Sequence, residues 1–264
     1  MAGMAKDDLS FIVEGGKTLT GSILTNRSKN GAVSLLAASL LNKGTTTLLN
    51  VPKIEEVNRL IEVLVSIGVK AEWNDHTLTL TSPETLSLDT LDRAAAVRTR
   101  SILMFIGSLI HHFDSFYLPQ SGGCTLGLRS VRPHLWALEK FGVTIDAKTD
   151  RWPVSHKGLR PVEVVLYESS DTATINTLLA ASRIDGVSTI KYASANYQVQ
   201  EICGFLKALG VGIEGIGTTT LTVTGVKDIA MDVSYSVGED PTDAMFFIAT
   251  AATTHSALTI ERAP

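Results

Sequence analysis

Ser34-Leu-Leu-Ala-Ala-Ser-Leu-Leu41 is the stretch on which the fold turns, because the chain repeats its character three more times. Met104-Phe-Ile-Gly-Ser-Leu-Ile-His111, Asn176-Thr-Leu-Leu-Ala-Ala-Ser-Arg183 and Phe247-Ile-Ala-Thr-Ala-Ala-Thr-Thr254 share its small, apolar make-up, and the four starts fall about 70 residues apart. A helix that is apolar on every side has no solvated face, so each copy predicts a buried helix. A β-prone run follows each one, at 45–51, 114–118, 187–193 and 257–262.

A second element recurs between these. Leu64-Val-Ser-Ile-Gly68, Leu138-Glu-Lys-Phe-Gly142 and Leu206-Lys-Ala-Leu-Gly210 each close an amphipathic run, at 54–67, 131–141 and 199–209. Glycine just past the last apolar position is the expected left-handed helix stop. A strand or hairpin comes next, as at 70–81 around Asn74-Asp75. The unit is thus helix, strand, helix, strands, and the predicted class is an α/β (α+β) repeat whose units bury their helices on one another. Three units are complete, and a fourth is present as its first helix and strand. On this pattern the repeat reads as cut, with the face around Met245–Ile248 partly exposed and self-association a consequence.

Composition narrows the function. Of 264 residues, 44% are apolar and 19% charged, enough for a core and against disorder. A net charge of -4 gives no basic field for nucleic acid. The two cysteines, Cys124 and Cys203, form no CxxC pair, so neither a disulfide framework nor a zinc site is expected and a reducing cytoplasm fits. Residues 1–16 lack the apolar segment of a signal peptide, and the longest apolar stretch, 102–110, is too short to span a bilayer.

Four places hold residues suited to chemistry. Gln120-Ser-Gly-Gly-Cys-Thr-Leu-Gly-Leu-Arg129 is a glycine loop with one thiol, running into a helix start beside Arg129 and Arg132, which favours a thiolate or a bound anion. A tight turn with a buried, inert cysteine reads equally well. Lys29-Asn30 precedes the first buried helix, where a cation beside free N–H groups suits phosphate or carboxylate; alternatively Lys29 is solvated and Asn30 is the cap. Arg98 and Arg100 flank the second helix start and suit a diphosphate, or are an ordinary exposed start. Ser169-Ser170-Asp171-Thr172 reads first as a cap, second as hydroxyl donors. Cys203, inside an amphipathic helix, reads as core. The adjacent His111 and His112 share no helix face and are assigned no metal.

Ser28-Lys29-Asn30, then Asn50-Val-Pro52, and above all Gly122-Gly-Cys-Thr-Leu-Gly-Leu-Arg129 resemble the UDP-N-acetylglucosamine enolpyruvyl transferases, over about residues 9–264. Arg100, 24 residues before Cys124, matches the family's diphosphate-side arginine. The sister 5-enolpyruvylshikimate 3-phosphate synthases share the repeat but not the cysteine loop. The resemblance implies an inside-out α/β fold of six repeats in two domains, with ligands in the cleft between them. Residues 21–229 would form one complete three-repeat domain, and 1–20 with 230–264 would be part of the second. The implied reaction moves the enolpyruvyl group of phosphoenolpyruvate to the sugar 3-hydroxyl by addition and elimination, releasing phosphate for peptidoglycan precursor synthesis. By resemblance Lys29 and Arg129 hold phosphoenolpyruvate, Asn30 contacts the sugar, Arg100 the diphosphate and Ser170 the substrate, while Cys124 is the catalytic residue, as general acid or in product release. No cofactor, metal, nucleic acid or membrane partner is implied. The chain alone is expected to fold without turning over.

Several positions depart from the family pattern. Ser130-Val131-Arg132 stands where Pro-Val-Asp is usual, Glu168 where a lysine is, Ser170-Asp171-Thr172 where Ser-Val-Gly is, Asn196-Tyr197-Gln198 in place of Glu-Pro-Glu, and Glu239-Asp240 in place of Asp-Arg. These departures keep open an enolpyruvyl transferase with another acceptor, a silent binding or assembly module, and a cysteine hydrolase using His134.

Overall fold

A computed structural model describes residues 12–120, 130–146 and 151–264. After strand β1 (Thr20–Leu24), the first repeat runs α1 (Lys29–Ser39), β2 (Thr45–Leu49), α2 (Glu55–Ser66), β3 (Lys70–Asn74) and β4 (Thr77–Thr81). The second runs α3 (Arg93–Val97), a 3-10 turn at Arg100–Met104, α4 (Phe105–Leu109), β5 (Ser115–Pro119), α5 (Arg132–Lys140), β6 (Val143–Ile145) and β7 (Arg151–His156). The third runs β8 (Glu163–Val165), α6 (Asp171–Ser182), β9 (Gly186–Lys191), α7 (Tyr197–Ala208), β10 (Gly212–Glu214) and β11 (Thr220–Gly225). There follow β12 (Val233–Ser236), α8 (Pro241–Thr253) and β13 (Ala257–Glu261).

The chain forms two compact units, Arg27–Gly238 and the residues up to Asn26 together with Glu239–Pro264. In the larger unit the helices are inside. Every residue of α1 from Gly31 to Ser39 and of α6 from Ala173 to Ser182 is buried, as is all of α4. The outer helices link the repeats: α2 packs on α1 and on the short α3, α5 on α6, and α7 on α6 and back on α1, which closes the ring. Each sheet lies outside, built on the strand after an inner helix. The hairpin strands add antiparallel to it, giving the orders β12-β2-β4-β3, β5-β7-β6 and β10-β11-β9-β8. In two sheets a further strand adds in parallel: β8 on β9 within the third repeat, and β12 on β2 across the whole length of the unit. The smaller unit repeats this arrangement once, with β1 parallel to β13.

The glycine stops behave as read. Gly68, Gly142 and Gly210 have φ of 105°, 98° and 88°, where a side chain would be strained. The second inner helix differs from the expected 104–111. The Thr99 side chain accepts from the Ser101 N–H and starts a 3-10 turn, and the α-helix proper covers only five residues. Gly107 explains the close packing there, since a Cβ would lie 2.4 Å from the carbonyl oxygen of Asn176. Asn176, itself buried, accepts from Gly107 N–H at 2.7 Å and donates to Leu103 carbonyl at 3.0 Å.

Helix α8 has the composition of an inner helix, yet only Ala244 is buried, and Met245, Phe246 and Ile248 are 60%, 65% and 48% exposed. Among the described residues no helix is long and apolar enough to cross a membrane.

Candidate functional site

The starts of α1, of the 3-10 turn and of α6 meet at one end of the larger unit. Unpaired N–H groups and the positive helix ends make such a meeting point favourable for anions. A cavity of about 560 Å³ opens there, lined by Lys29, Asn30, Glu56, Arg100, His134 and Thr172 among others. Two neighbours adjoin it, one of about 310 Å³ reaching Asp171 and Gln198, and one of about 610 Å³ reaching Arg132, Tyr167 and Glu168.

Local sequence sets each side chain. Ser28, not Asn30, caps α1: its Oγ accepts from Gly31 N–H at 2.9 Å. The reading of Asn30 as cap is therefore corrected, because the serine two residues earlier has the extended backbone a cap needs, and Asn30 in the first turn lines the cavity instead. Ser170 caps α6, accepting from Ala173 N–H at 3.4 Å. Arg100 donates through Nη2 to Ser130 carbonyl at 3.0 Å.

Lys29 is not simply solvated. Its Nζ lies 2.7 Å from Glu56 Oε2, while Glu56 Oε1 accepts from Thr99 Oγ1 at 2.8 Å and Ser101 Oγ at 2.5 Å. One carboxylate thus ties α1, α2 and the 3-10 turn together. Burial raises the Glu56 pKa, but hydrogen bonds from Lys29 and Ser101, the Lys29 charge and Thr99 together bring it below the ordinary value.

His134 is buried between neighbours on α6. Its Nε2 pairs with Thr172 Oγ1 and its Nδ1 with Asn176 Nδ2, both at 3.2 Å. With both ring nitrogens engaged it is a core histidine, not one poised as the base a hydrolase requires. Burial, then the Arg100 charge, lowers its pKa to about 4.

Cys124 and Arg129 lie outside the described residues. Cys203 is fully buried in α7, and burial pushes its thiol up to about 12, which makes it inert. At the opposite end of the unit, His112, His111 and His156 each place Nε2 on a carbonyl near the end of α1, α6 or α4: Leu40 at 2.7 Å, Leu179 at 3.2 Å and Ile110 at 2.9 Å. They satisfy orphan carbonyls there. Among the described residues no group of three His, Cys, Asp or Glu side chains is arranged for a metal ion.

Two residues of the site escape sequence reading. Glu56, with Glu55, reads as acid placed at a helix start to complement the dipole; only its spacing after Val51-Pro52 could have marked it. Asp171 reads as part of a cap. In the structure its carboxylate accepts from Ser194 Oγ, Asn196 Nδ2 and Gln198 Nε2, so the departures at 171 and at 196–198 form one cluster.

Comparison with known proteins places this geometry. The model of the family described as EPSP synthase (3-phosphoshikimate 1-carboxyvinyltransferase) matches residues 13–264. The chain is 36% identical to a UDP-N-acetylglucosamine 1-carboxyvinyltransferase of Bradyrhizobium diazoefficiens over 97% of its own length and 59% of the relative's. It is 31% identical to one of Caldanaerobacter subterraneus over 96% of its length and 60% of the relative's. It therefore spans about three-fifths of the curated relatives it matches. The fold is like that of the enolpyruvyl transferase NikO from Streptomyces tendae, with a TM-score of 0.75 at 20% identity over 90% of this chain and 56% of that one. It is also like an EPSP synthase of Acinetobacter baumannii, with a TM-score of 0.71 at 18% identity over 95% and 57%. The inside-out repeat and the sequence matches together establish that the chain belongs to the EPSP synthase (3-phosphoshikimate 1-carboxyvinyltransferase) family.

Proposed function

We propose that the chain carries the phosphoenolpyruvate- and acceptor-binding part of an enolpyruvyl transferase whose acceptor is the 3-hydroxyl of UDP-N-acetylglucosamine, a step of peptidoglycan precursor synthesis. The three-repeat unit, expected at about 21–229 and compact over Arg27–Gly238, is the ligand-holding body. The observation that carries the reading is the convergence of Lys29, Asn30, Arg100 and the Ser170 cap on adjoining cavities at the helix starts. In the proposed reaction the acceptor oxygen bonds to C2 of phosphoenolpyruvate and loses its hydroxyl proton, which in net terms leaves with the phosphate, while C3 takes a proton. C3 then returns a proton as the C2–O bond to phosphate breaks, restoring the double bond and releasing phosphate. Lys29 and Arg129 hold the phosphoenolpyruvate anion, where fixed cations act without reorganising. Cys124 supplies or relays the proton. Asn30 and Ser170 hold the nucleotide sugar, and Arg100 its diphosphate.

Calorimetric titration of the 264-residue chain tests this. Phosphoenolpyruvate should bind, and Lys29→Ala should weaken it about tenfold, the cost of one charge-assisted contact. A chain that binds neither phosphoenolpyruvate nor UDP-N-acetylglucosamine overturns the reading. For the thiol, mass spectrometry after treatment with a phosphonate epoxide should place the adduct on Cys124; an adduct mainly on Cys203 removes the assigned role.

A second reading, a transferase with a different acceptor, is favoured by Arg132 and Glu168 on the wall of the third cavity. Each reverses the charge that the resemblance implies at its position, so each removes a contact of about 1.5–3 kcal/mol. Weaker binding of UDP-N-acetylglucosamine than of another nucleotide sugar would decide for it.

A further inference from the structure

We infer that the outer edge of β5 binds an extended, acidic peptide segment of a partner protein, which adds to the second sheet as the parallel strand that sheet lacks.

Among the described residues, the strand after an inner helix has a parallel neighbour in three cases: β12 beside β2, β8 beside β9 and β1 beside β13. β5 has none and stands at the edge of its three-stranded sheet. The chain just before the second inner helix, 82–92, does not fill the place, because it is tied to the end of α2. Ser87 N–H donates to the Ile67 carbonyl at 3.1 Å, Thr90 Oγ1 to the Ser66 carbonyl at 2.5 Å, and Asp92 N–H to Ser66 Oγ at 2.9 Å. A groove of about 520 Å³ results, lined by Leu86, Leu88, Leu91 and Arg93 and by every residue of β5.

The edge has backbone groups to offer. In an antiparallel pair alternate residues turn their N–H and C=O toward the partner strand. The Asp114 carbonyl accepts from His156 N–H at 2.9 Å, so 114, 116 and 118 face β7; Tyr117 stands opposite Pro153, which has no N–H to give. Ser115 and Tyr117, both exposed, therefore turn their backbone groups away from β7, and among the described residues these groups have no hydrogen-bond partner. Such an edge invites strand addition. The five residues of β5 span roughly 16 Å at about 3.3 Å each, so a segment of about five residues fills it.

Charge selects the segment. Arg93 and Arg151 outnumber Asp89 on the lining, and the Arg151 guanidinium lies 5.2 Å from the centre of the Tyr117 ring, at the edge itself. Acidic side chains at alternate positions meet these cations, and apolar ones between them face the leucines. A second copy pairing β5 with β5 about Tyr117 fits less well. It sets Pro119 opposite Ser115, where the proline has no N–H for the Ser115 carbonyl, and gathers the arginines of both copies at one seam.

The probe is the peptide acetyl-Glu-Val-Glu-Val-Glu-amide, titrated to about 1 mM into the 264-residue chain while amide hydrogen exchange is followed by NMR. Exchange at Ser115 and Tyr117 should slow about fivefold. A fully N-methylated version, which cannot donate, and a version with lysine in place of glutamate should leave it unchanged. Tyr117→Pro removes the outward N–H without touching a bond to β7, so it should abolish the slowing at Ser115 and move the thermal midpoint little. Arg93→Glu with Arg151→Glu should transfer the preference to the lysine peptide; if Tyr117→Pro unfolds the chain, this pair decides alone. No slowing with the acidic peptide, equal slowing with the lysine peptide, or slowing only at other residues overturns the inference. Slowing at Ser115 and Tyr117 as the concentration of the chain alone rises would seat a second copy on the edge, and overturns it too.

Discussion

Helices α6 and α8 are written in nearly the same alphabet and live in opposite surroundings. Both begin at a polar cap, Ser170 or Asp240, and both are apolar nearly all round. Ten residues of α6 are buried against α4, α5 and α7, whereas α8 buries one and packs chiefly on β13. The difference teaches that an all-apolar helix states a need, a surround of other helices, and that only the rest of the fold meets it. Burial therefore belongs to the ring around α6 rather than to its composition.

The largest test of that contrast is truncation at matched positions. Leu178→Ala, in the fully buried part of α6, should cost about 3 kcal/mol, within the usual 2–5 kcal/mol for a core leucine. Ile248→Ala, at a half-exposed position of α8, should cost less than about 1 kcal/mol. Urea midpoints measure both, and equal losses would mean that α8 is wrapped in solution.

Next in size is the acid response of α6's buried neighbour. His134, wedged between Thr172 and Asn176, is held neutral by burial and then by the Arg100 charge, with a pKa lowered from 6.5 to about 4. Above pH 6.5 neither state binds the proton, so stability is full. As pH falls the unfolded chain protonates first, and stability declines until about pH 4. At pH 5 the loss is on the order of 2 kcal/mol. Urea unfolding at pH 7 and pH 5 should show it, and His134→Leu should flatten the slope. His111, lowered to about 3 by burial and then by the Arg183 charge, adds in the same direction.

The smallest effect on stability belongs to α8 itself. Met245→Ser with Phe246→Ser should shift the thermal midpoint by no more than a few degrees, since surface changes stay near ±0.5 kcal/mol. It should, however, abolish concentration-dependent association in sedimentation. Association that persists would place the sticky surface elsewhere.

Much of this fold was legible because it repeats. The recurring apolar segments and the glycines at 68, 142 and 210 placed inner helices, outer helices and turns, since period and helix stops are local properties of the chain. The break before α4 was not legible. It depends on Thr99 turning its hydroxyl to Ser101 and on Asn176, 69 residues on from Gly107, reaching across to bond its N–H. The site divided in the same way. Lys29, Arg100 and Ser170 stood out as polar residues at helix starts. Glu56 and Asp171 did not, because an acid at a helix start is ordinary, and only the tertiary structure shows which cation or amide it holds.

The pairing of β12 with β2 sets a timetable for the ring. Val233 lies beside Thr46, so the first sheet to be made is the last to be finished. A ribosome adding about 5–20 residues per second needs roughly 10–40 s to travel between them. Throughout that interval one margin of β2 waits with its backbone groups unpaired, a template for any passing strand. The arrangement makes the first repeat the oldest part of the nascent domain and its most vulnerable, and residues 233–236 the latch that ends the exposure.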